Sequence, residues 1–172
     1  VGIVAVEFTS RGIEPGNPRP YFVLGDAAAA AVLGAARPGE GVLSVALANN
    51  GTLPPDTGFG QSLLTGRLEK IQFYASRQEI FQIALDALST ATHVVLEEAG
   101  VRLEDVQWVL PHQPNGALLD AIVDALRLDR ARLVPIVREV GSVASVAIPY
   151  SLDLLLRTRE VRPGDRILMV GV

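Results

Sequence analysis

Residues 111–115 read Pro-His-Gln-Pro-Asn, directly after the apolar run 106–110 and directly before a pattern typical of a helix. In α/β proteins, catalytic and binding groups are commonly placed where a strand ends. His112 is therefore a candidate base or acid, because imidazole titrates near neutral pH. The alternative is a structural histidine that hydrogen-bonds a carbonyl group at the strand end. The other histidine, His93, falls within a helical pattern and looks ordinary.

Two further segments accompany this motif. Residues 24–33 read Leu-Gly-Asp-Ala-Ala-Ala-Ala-Ala-Val-Leu, and residues 140–149 read Val-Gly-Ser-Val-Ala-Ser-Val-Ala-Ile-Pro. In order and spacing, the three segments resemble the C-terminal part of the ketoacyl synthase III family of thiolase-fold enzymes. In that family they read roughly F-G-D-G-A-G-A, P-H-Q-A-N and G-N-T-S-A-A-S-x-P. The resemblance extends over all 172 residues.

The resemblance implies an α/β, thiolase-like fold of two similar halves. Residues 1–36 would end the N-terminal half, and residues 37–172 would form the C-terminal half. The chain looks as if it enters the fold at a strand, and we expect it to be a fragment, a processed product or one piece of a split protein. By resemblance, the complete protein would be a homodimer.

The implied function is transfer of an acyl group from a thioester of coenzyme A or of an acyl carrier protein. In the family, the equivalent of His112 acts beside a nucleophilic cysteine of the N-terminal half. This chain has no cysteine, so we expect activity only together with the missing N-terminal half. The preferred interpretation is an acyltransferase or modified condensing enzyme. The alternative is a non-catalytic partner subunit with the same fold.

Ser142 stands where the family pattern has asparagine, the second hydrogen-bond donor beside the histidine. A hydroxyl offers one donor on a shorter side chain, and loss of one well-placed oxyanion donor typically costs about 10²–10³ in rate. The substitution therefore disfavours decarboxylative condensation more than simple acyl transfer, provided that Ser142 acts at all. Its alternative role is a loop residue that turns the chain.

Asn115 matches the asparagine that, in the family, lies beside the pantetheine arm, and it is equally suited to cap a helix. Positions that are basic in family members that bind acyl carrier protein are occupied here by Gln82, Ala117, Asp124 and Ala125. Because carrier proteins are acidic, capture in the usual manner is disfavoured. The alternative is docking through Arg127, Arg130 or Arg132.

Composition limits the other possibilities. The net charge is −4 and no basic cluster occurs, so a nucleic-acid partner is not expected. No apolar run approaches the roughly 18 residues that cross a bilayer, so we expect no membrane partner. The absence of cysteine fits a cytoplasmic protein. We see no metal-ligand spacing and no nucleotide fingerprint, so neither a metal nor a cofactor is expected beyond the phosphopantetheine arm of the substrate.

Hydrophobic patterning predicts alternating strands and helices, as in α/β proteins. The predicted strands cover residues 1–8, 21–24 with 27–33, 41–48, 106–110, 133–137 and 166–172. The first strand is apolar throughout and should be buried on both faces. The predicted helices cover 77–99, 115–126 and 145–158, the first with a capping box from Ser76 and Glu79. Residues 10–20 and 49–68 are predicted loops, and the second is long enough to cover a site.

Overall fold

A computed structural model of the chain describes residues 1–13, 16, 18–49 and 76–172. Its strands and helices are β1 (Gly2–Phe8), α1 (Pro18–Val23), β2 (Asp26–Val32), α2 (Arg77–Ala99), β3 (Trp108–Pro111), α3 (Gly116–Ala125), α4 (Val137–Val140), α5 (Ala147–Thr158) and β4 (Ile167–Val170). Single 3₁₀ turns lie at Thr9–Gly12, Leu103–Asp105, Arg130–Arg132 and Ala144–Val146. The predicted loop 49–68 lies outside the described residues except for Asn49.

The described strands form two pairs. β1 and β2 are antiparallel, with Gly2 opposite Val32 and Phe8 opposite Asp26. β3 and β4 are parallel, with Trp108 opposite Ile167. A parallel pair needs a long crossover connection, and here α3, α4 and α5 lie between its strands in sequence.

Helix α2 forms as the sequence predicts. The Ser76 hydroxyl accepts a hydrogen bond from the Glu79 amide at 3.2 Å, and the Ser76 amide donates to the Glu79 carboxylate at 3.0 Å. Gly100 follows the last turn with φ of 63°, a conformation that suits glycine. The capping box and the glycine stop are both confirmed.

Among the described residues, two buried clusters form the core, and the end of β3 lies between them. The first cluster packs α2 and α3 against the β3–β4 pair, with Leu88, Val109 and Ile122 almost fully buried. The second gathers residues around α5, including Leu110 and Leu155. Because Val109 and Leu110 belong to different clusters, both faces of β3 are covered just before the chain reaches His112.

The prediction that residues 1–8 form a strand is confirmed, but the prediction that it is buried is wrong for this structure. Ala5 and Glu7 are half-buried, whereas Val4 and Phe8 are 73% and 67% exposed. One face of β1 packs on the 3₁₀ turn Ala144–Val146. Among the described residues, nothing covers the other face, so apolar character alone misjudged its burial.

The predicted strand at 21–24 is wrong, whereas that at 27–33 is confirmed as β2. Residues up to Val23 lie in α1, which begins at Pro18. Proline is favoured at the first helical position because it has no amide hydrogen to satisfy there. The amide of Leu24 donates to the Pro20 carbonyl oxygen at 2.9 Å, which closes the last turn.

The predicted strands at 41–48 and 133–137 are also wrong. Residues 41–48 have no strand partner among the described residues, although their alternating pattern suits a strand. In the second segment only Leu133 makes a bridge, to Val109, and Val137 already begins α4. Pro135 cannot donate to a ladder, which helps to end the pairing after Leu133.

The remaining predicted elements are present with shifted ends. The strand predicted at 106–110 is β3, which starts two residues later, at Trp108. The strand predicted at 166–172 is β4, which is shorter and covers only Ile167–Val170. The helix predicted at 115–126 is α3, with Asn115 as its cap. The helix predicted at 145–158 is α5, which starts at Ala147 and has Pro149 in its first turn.

Candidate active site

His112 follows the last residue of β3 and is fixed there by its backbone. Its amide donates a hydrogen bond to the Val170 carbonyl oxygen at 2.7 Å, which extends the parallel pairing with β4 by one step. A Cβ atom added to Gly171 would lie 3.9 Å from the His112 Cβ atom, so the end of β4 lies beside the histidine. The predicted position of His112 at a strand end is thus confirmed.

The His112 imidazole is buried without a partner among the described residues. Neither Nδ1 nor Nε2 makes a hydrogen bond there. Burial lowers the pKa of His112 below the ordinary value of 6.5, and a weaker hydrogen-bonding interaction with the Val172 backbone opposes this shift without meeting the geometry of a hydrogen bond at either ring nitrogen. Buried polar atoms in native proteins are nearly always hydrogen-bonded. The ring is therefore available to a group from outside the described residues.

Asn115 caps helix α3. Its side-chain oxygen accepts a hydrogen bond from the Leu118 amide at 2.9 Å, and its own backbone is extended, as a cap requires. The cap uses only the oxygen of the side chain, so its NH₂ group is chemically free to take the predicted substrate-binding role. That role stays a prediction.

Ser142 lies in a loop that is pinned to the start of β2. The Ser142 amide donates to the Val23 carbonyl oxygen at 2.7 Å, and its own carbonyl oxygen accepts from the Gly25 amide at 2.9 Å. The residue is only 5% exposed. Gly141, before it, has φ of 75°, which favours glycine at this position. The predicted motifs at 24–33 and 140–149 are therefore in direct contact.

The neighbouring side chains hold this junction together. The Asp26 carboxylate accepts from the Ser10 amide at 2.8 Å and from the Ser10 hydroxyl, and these hydrogen bonds lower the pKa of Asp26. On the other side, the Ser145 amide and hydroxyl donate to the Glu7 carboxylate, at 3.3 and 2.5 Å. At this junction Gly25 makes a close backbone contact with Ser142, and Asp26 already begins β2.

Gln113 is a residue whose role the sequence analysis missed. Its side chain is 1% exposed. Its NH₂ group donates to the Val134 carbonyl oxygen at 2.9 Å, and its oxygen accepts from the amides of Ile136 and Val137 at 2.9 and 3.2 Å. The segment that it holds leads through α4 to Ser142. Its signals in the sequence were its match to the family motif P-H-Q-A-N and its position between Pro111 and Pro114.

The four positions named for carrier-protein docking are all exposed: Gln82, Ala117, Asp124 and Ala125. Two of the alternative arginines are engaged within the chain. Arg130 pairs with Asp120 at 2.8 Å. Arg132 donates to the backbone carbonyl oxygens of Glu104 and Val106 at 3.2 and 3.1 Å.

Neither a metal cluster nor a membrane-spanning helix occurs in the part of the chain that the structure describes. Within those residues, no group of three or more histidine, cysteine, aspartate or glutamate side chains could hold a metal ion. None of the helices described there is both long and apolar enough to cross a membrane.

Comparison with known proteins gives consistent matches in sequence. The family model described as 3-Oxoacyl-[acyl-carrier-protein (ACP)] synthase III C terminal matches residues 96–172. Acetoacetyl CoA synthase NphT7 of Streptomyces sp. (strain CL190) is 32% identical over 98% of this chain and 54% of its own length. Beta-ketoacyl-[acyl-carrier-protein] synthase III 3 of Streptomyces coelicolor is 31% identical over 98% of this chain and 53% of its own length. The chain thus spans about half the length of these relatives.

Solved structures give the same result for the fold. The 3-oxoacyl-(acyl carrier protein) synthase III of Pseudomonas aeruginosa PAO1 has a TM-score of 0.88 at 26% identity, over 99% of this chain and 53% of its own. The corresponding synthase of Thermus thermophilus has a TM-score of 0.89 at 28% identity, over 99% of this chain and 54% of its own. The predicted α/β, thiolase-like fold is confirmed by these matches, whereas the boundary between residues 36 and 37 stays a prediction.

Proposed function

The chain is a member of the ketoacyl synthase III-like family and corresponds to its C-terminal part, and from this premise we propose that it carries the oxyanion-binding side chains of an enzyme acting on acyl thioesters. His112 and Ser142 are the side chains in question. The reaction is acyl transfer from a coenzyme A thioester by an enzyme modified from the condensing type.

The unpartnered His112 ring is the observation that carries the proposal. An imidazole at the end of β3 has no hydrogen bond among the described residues, although both nitrogens are buried. A buried polar group without a hydrogen bond costs free energy unless a bound molecule or another part of the protein supplies the missing partner. A thioester carbonyl oxygen that gains negative charge is the partner that suits an imidazole N–H group.

The lowered pKa of His112 fits this role. Because burial disfavours the imidazolium ion, the ring is neutral at neutral pH, with one nitrogen as donor and the other as acceptor. The donor would stabilise the oxyanion of the thioester, and the acceptor could take a proton from the acyl acceptor. The chain contains no cysteine, so a cysteine nucleophile of the family's kind would belong to another part of the protein.

Ser142 favours acyl transfer over decarboxylation. Decarboxylation of a malonyl thioester breaks the bond to the carboxylate carbon and moves its electron pair toward the thioester oxygen, so it depends strongly on oxyanion donors. A serine hydroxyl reaches less far than an asparagine amide and offers one donor hydrogen. Acyl transfer still needs the His112 donor, but it does not need to stabilise a full enolate.

Coenzyme A is the proposed carrier of the acyl group because the docking positions named above, among the described residues, offer little for an acidic carrier protein. The four exposed positions around α3 and α2 named above carry no positive charge, and Arg130 is already paired with Asp120. The name of the first relative described above, an acetoacetyl CoA synthase, also points to coenzyme A chemistry for that protein.

The missing N-terminal half and a second copy of the protein are the proposed partners. The outer face of β1, with Val4 and Phe8, is uncovered by the described residues. An apolar sheet face of this kind is normally covered by another layer. Activity is therefore proposed for the full-length homodimer only.

A non-catalytic partner subunit is the second candidate, and the replacement of asparagine by Ser142 is the observation that favours it. The residue at the nucleophile position of the full-length protein separates the two candidates. Cysteine or serine there supports the enzyme, and glycine or alanine supports the partner subunit.

The direct test is the His112→Ala variant of the full-length protein, assayed for acyl transfer from acetyl-CoA. The rate should fall at least about a hundredfold, the lower range for general acid–base assistance, with a small change in stability. His93→Ala, which removes the exposed histidine of α2, is the matched control. A near-normal rate in His112→Ala would remove the basis for the proposal.

A further inference from the structure

Gln113 holds its buried amide with three hydrogen bonds to one short segment of backbone. The NH₂ group donates to the Val134 carbonyl oxygen, and the oxygen accepts from the Ile136 and Val137 amides. A buried amide is stable only when both of its ends are paired. Since these three bonds satisfy Gln113 and its side chain is 1% exposed, it has no direct role toward the substrate.

These bonds replace two structural devices that the segment lacks. Leu133 makes the last backbone bridge to β3, and Pro135 has no amide to extend it. Ile136 is the N-cap residue of α4, and its own apolar side chain makes no capping hydrogen bond. Gln113 therefore serves as the cap of α4 from a distant point in the sequence, by accepting from amides that would otherwise be unpaired.

Helix α4 carries this restraint to Ser142. It is one turn long, Val137–Val140, and so short a helix is not stable by itself. The Val137 carbonyl oxygen accepts a hydrogen bond from the Gly141 amide at 3.1 Å. Val137 is thus held by Gln113 at its amide and holds Gly141 at its carbonyl. Ser142 is the next residue.

We infer that Gln113 is a positioning residue that couples the placement of His112, its sequence neighbour, to the placement of the Ser142 loop. The inference rests on the proposed function, because it assigns Gln113 to the alignment of that donor pair. Catalytic geometry tolerates little error, since a displacement of about 1 Å can cost about a hundredfold in rate. A residue that fixes both ends of the pair therefore acts on turnover without touching the substrate.

The test uses two variants of the full-length protein. Gln113→Met keeps the length of the side chain but removes its hydrogen bonds, and Gln113→Asn keeps the amide on a side chain one methylene shorter. Both should lower kcat for acyl transfer, Met by about ten- to a hundredfold and Asn by less, while KM for acetyl-CoA changes by less than about twofold. If Gln113→Met does not fold, Gln113→Asn alone decides the outcome.

Ala84→Gly is the matched control for a general loss of stability. It costs about 1 kcal/mol in the interior of α2, in the core cluster that does not contain α4. It should leave kcat within about twofold of wild type. A loss of kcat in the Gln113 variants no greater than that in Ala84→Gly, or wild-type kcat in both, would overturn the inference.

Hydrogen exchange separates this inference from the proposed function. In the Gln113 variants, amide protection should fall at residues 137–142 and stay at the wild-type level in α2. Unchanged exchange at 137–142 would also overturn the inference. If wild type shows no acyl transfer that depends on His112, the proposed function fails, and the exchange measurement still decides whether Gln113 holds the loop.

Discussion

A Cβ atom added to Gly25 would lie 1.9 Å from the carbonyl oxygen of Val140. No real Cβ atom approaches a backbone oxygen so closely, so only glycine fits where the chain enters β2 beside the Ser142 loop. The Gly25 amide also donates to the Ser142 carbonyl oxygen. This contact links the motif at residues 24–33 to the proposed site.

Gly25→Ala should therefore destabilise the full-length protein by about 1–3 kcal/mol, the usual cost of overpacking, and should lower acyl transfer because the loop with Ser142 must move. Thermal or denaturant unfolding and an activity assay measure both effects. Gly34→Ala is the control, since an added Cβ atom there meets nothing within 4 Å, and it should change stability by less than about 0.5 kcal/mol. Equal free energies of unfolding for Gly25→Ala and Gly34→Ala would contradict the close contact between Gly25 and the Val140 carbonyl oxygen.

Asn115→Ser separates the two roles of Asn115. Serine caps a helix about as well as asparagine, so stability should stay within a few tenths of a kcal/mol, whereas Asn115→Ala should cost about 1 kcal/mol. If the NH₂ group binds the pantetheine arm, Asn115→Ser should raise KM for acetyl-CoA by roughly three- to tenfold, the value of one hydrogen bond. An unchanged KM in Asn115→Ser would leave Asn115 as a cap alone.

The lowered pKa of His112 predicts how stability depends on pH. Below its ordinary value of 6.5, the unfolded chain binds a proton that the folded protein resists, so stability is fully present above that pH and is lost as pH falls toward the folded pKa. The slope is at most about 1.4 kcal/mol per pH unit for one group.

His112→Gln should flatten the dependence of unfolding free energy on pH just below 6.5 in the full-length protein. Urea denaturation at several pH values measures it, with His93→Gln as the control for the loss of an exposed histidine. A His112→Gln variant that keeps the wild-type slope would show that another group causes it.

The three long helices were predicted well because their signals are local, whereas the short helices α1 and α4 were missed. Ser76, Glu79 and Gly100 lie at fixed spacings that define the two ends of α2 without reference to the rest of the fold. Strands at 41–48 and 133–137 were predicted wrongly because a strand also needs a partner, and alternation does not reveal one. β2 was predicted despite its alanines, and its pairing with β1 confirms it.

The local placement of the candidate site residues was predicted in part. His112 follows a strand and Asn115 caps a helix, as their motif indicates, whereas the functional roles of His112, Asn115 and Ser142 stay predictions. Gln113 was missed because its three hydrogen-bond partners are backbone atoms of Val134, Ile136 and Val137, more than twenty residues away. No pattern within residues 111–115 specifies such contacts. The burial of β1 was misjudged for a related reason, since burial depends on layers beyond the strand itself.

The most direct test of the central claim is carbon dioxide release from malonyl-CoA by the full-length protein, wild type against Ser142→Asn, with acyl transfer measured in parallel. Wild type should transfer acyl groups while it decarboxylates slowly. Ser142→Asn should raise decarboxylation by roughly tenfold or more, somewhat less than the full value of an oxyanion donor because neighbours such as Val143 also differ from the family pattern. Equal decarboxylation by the two proteins would contradict the claim that Ser142 determines the reaction type.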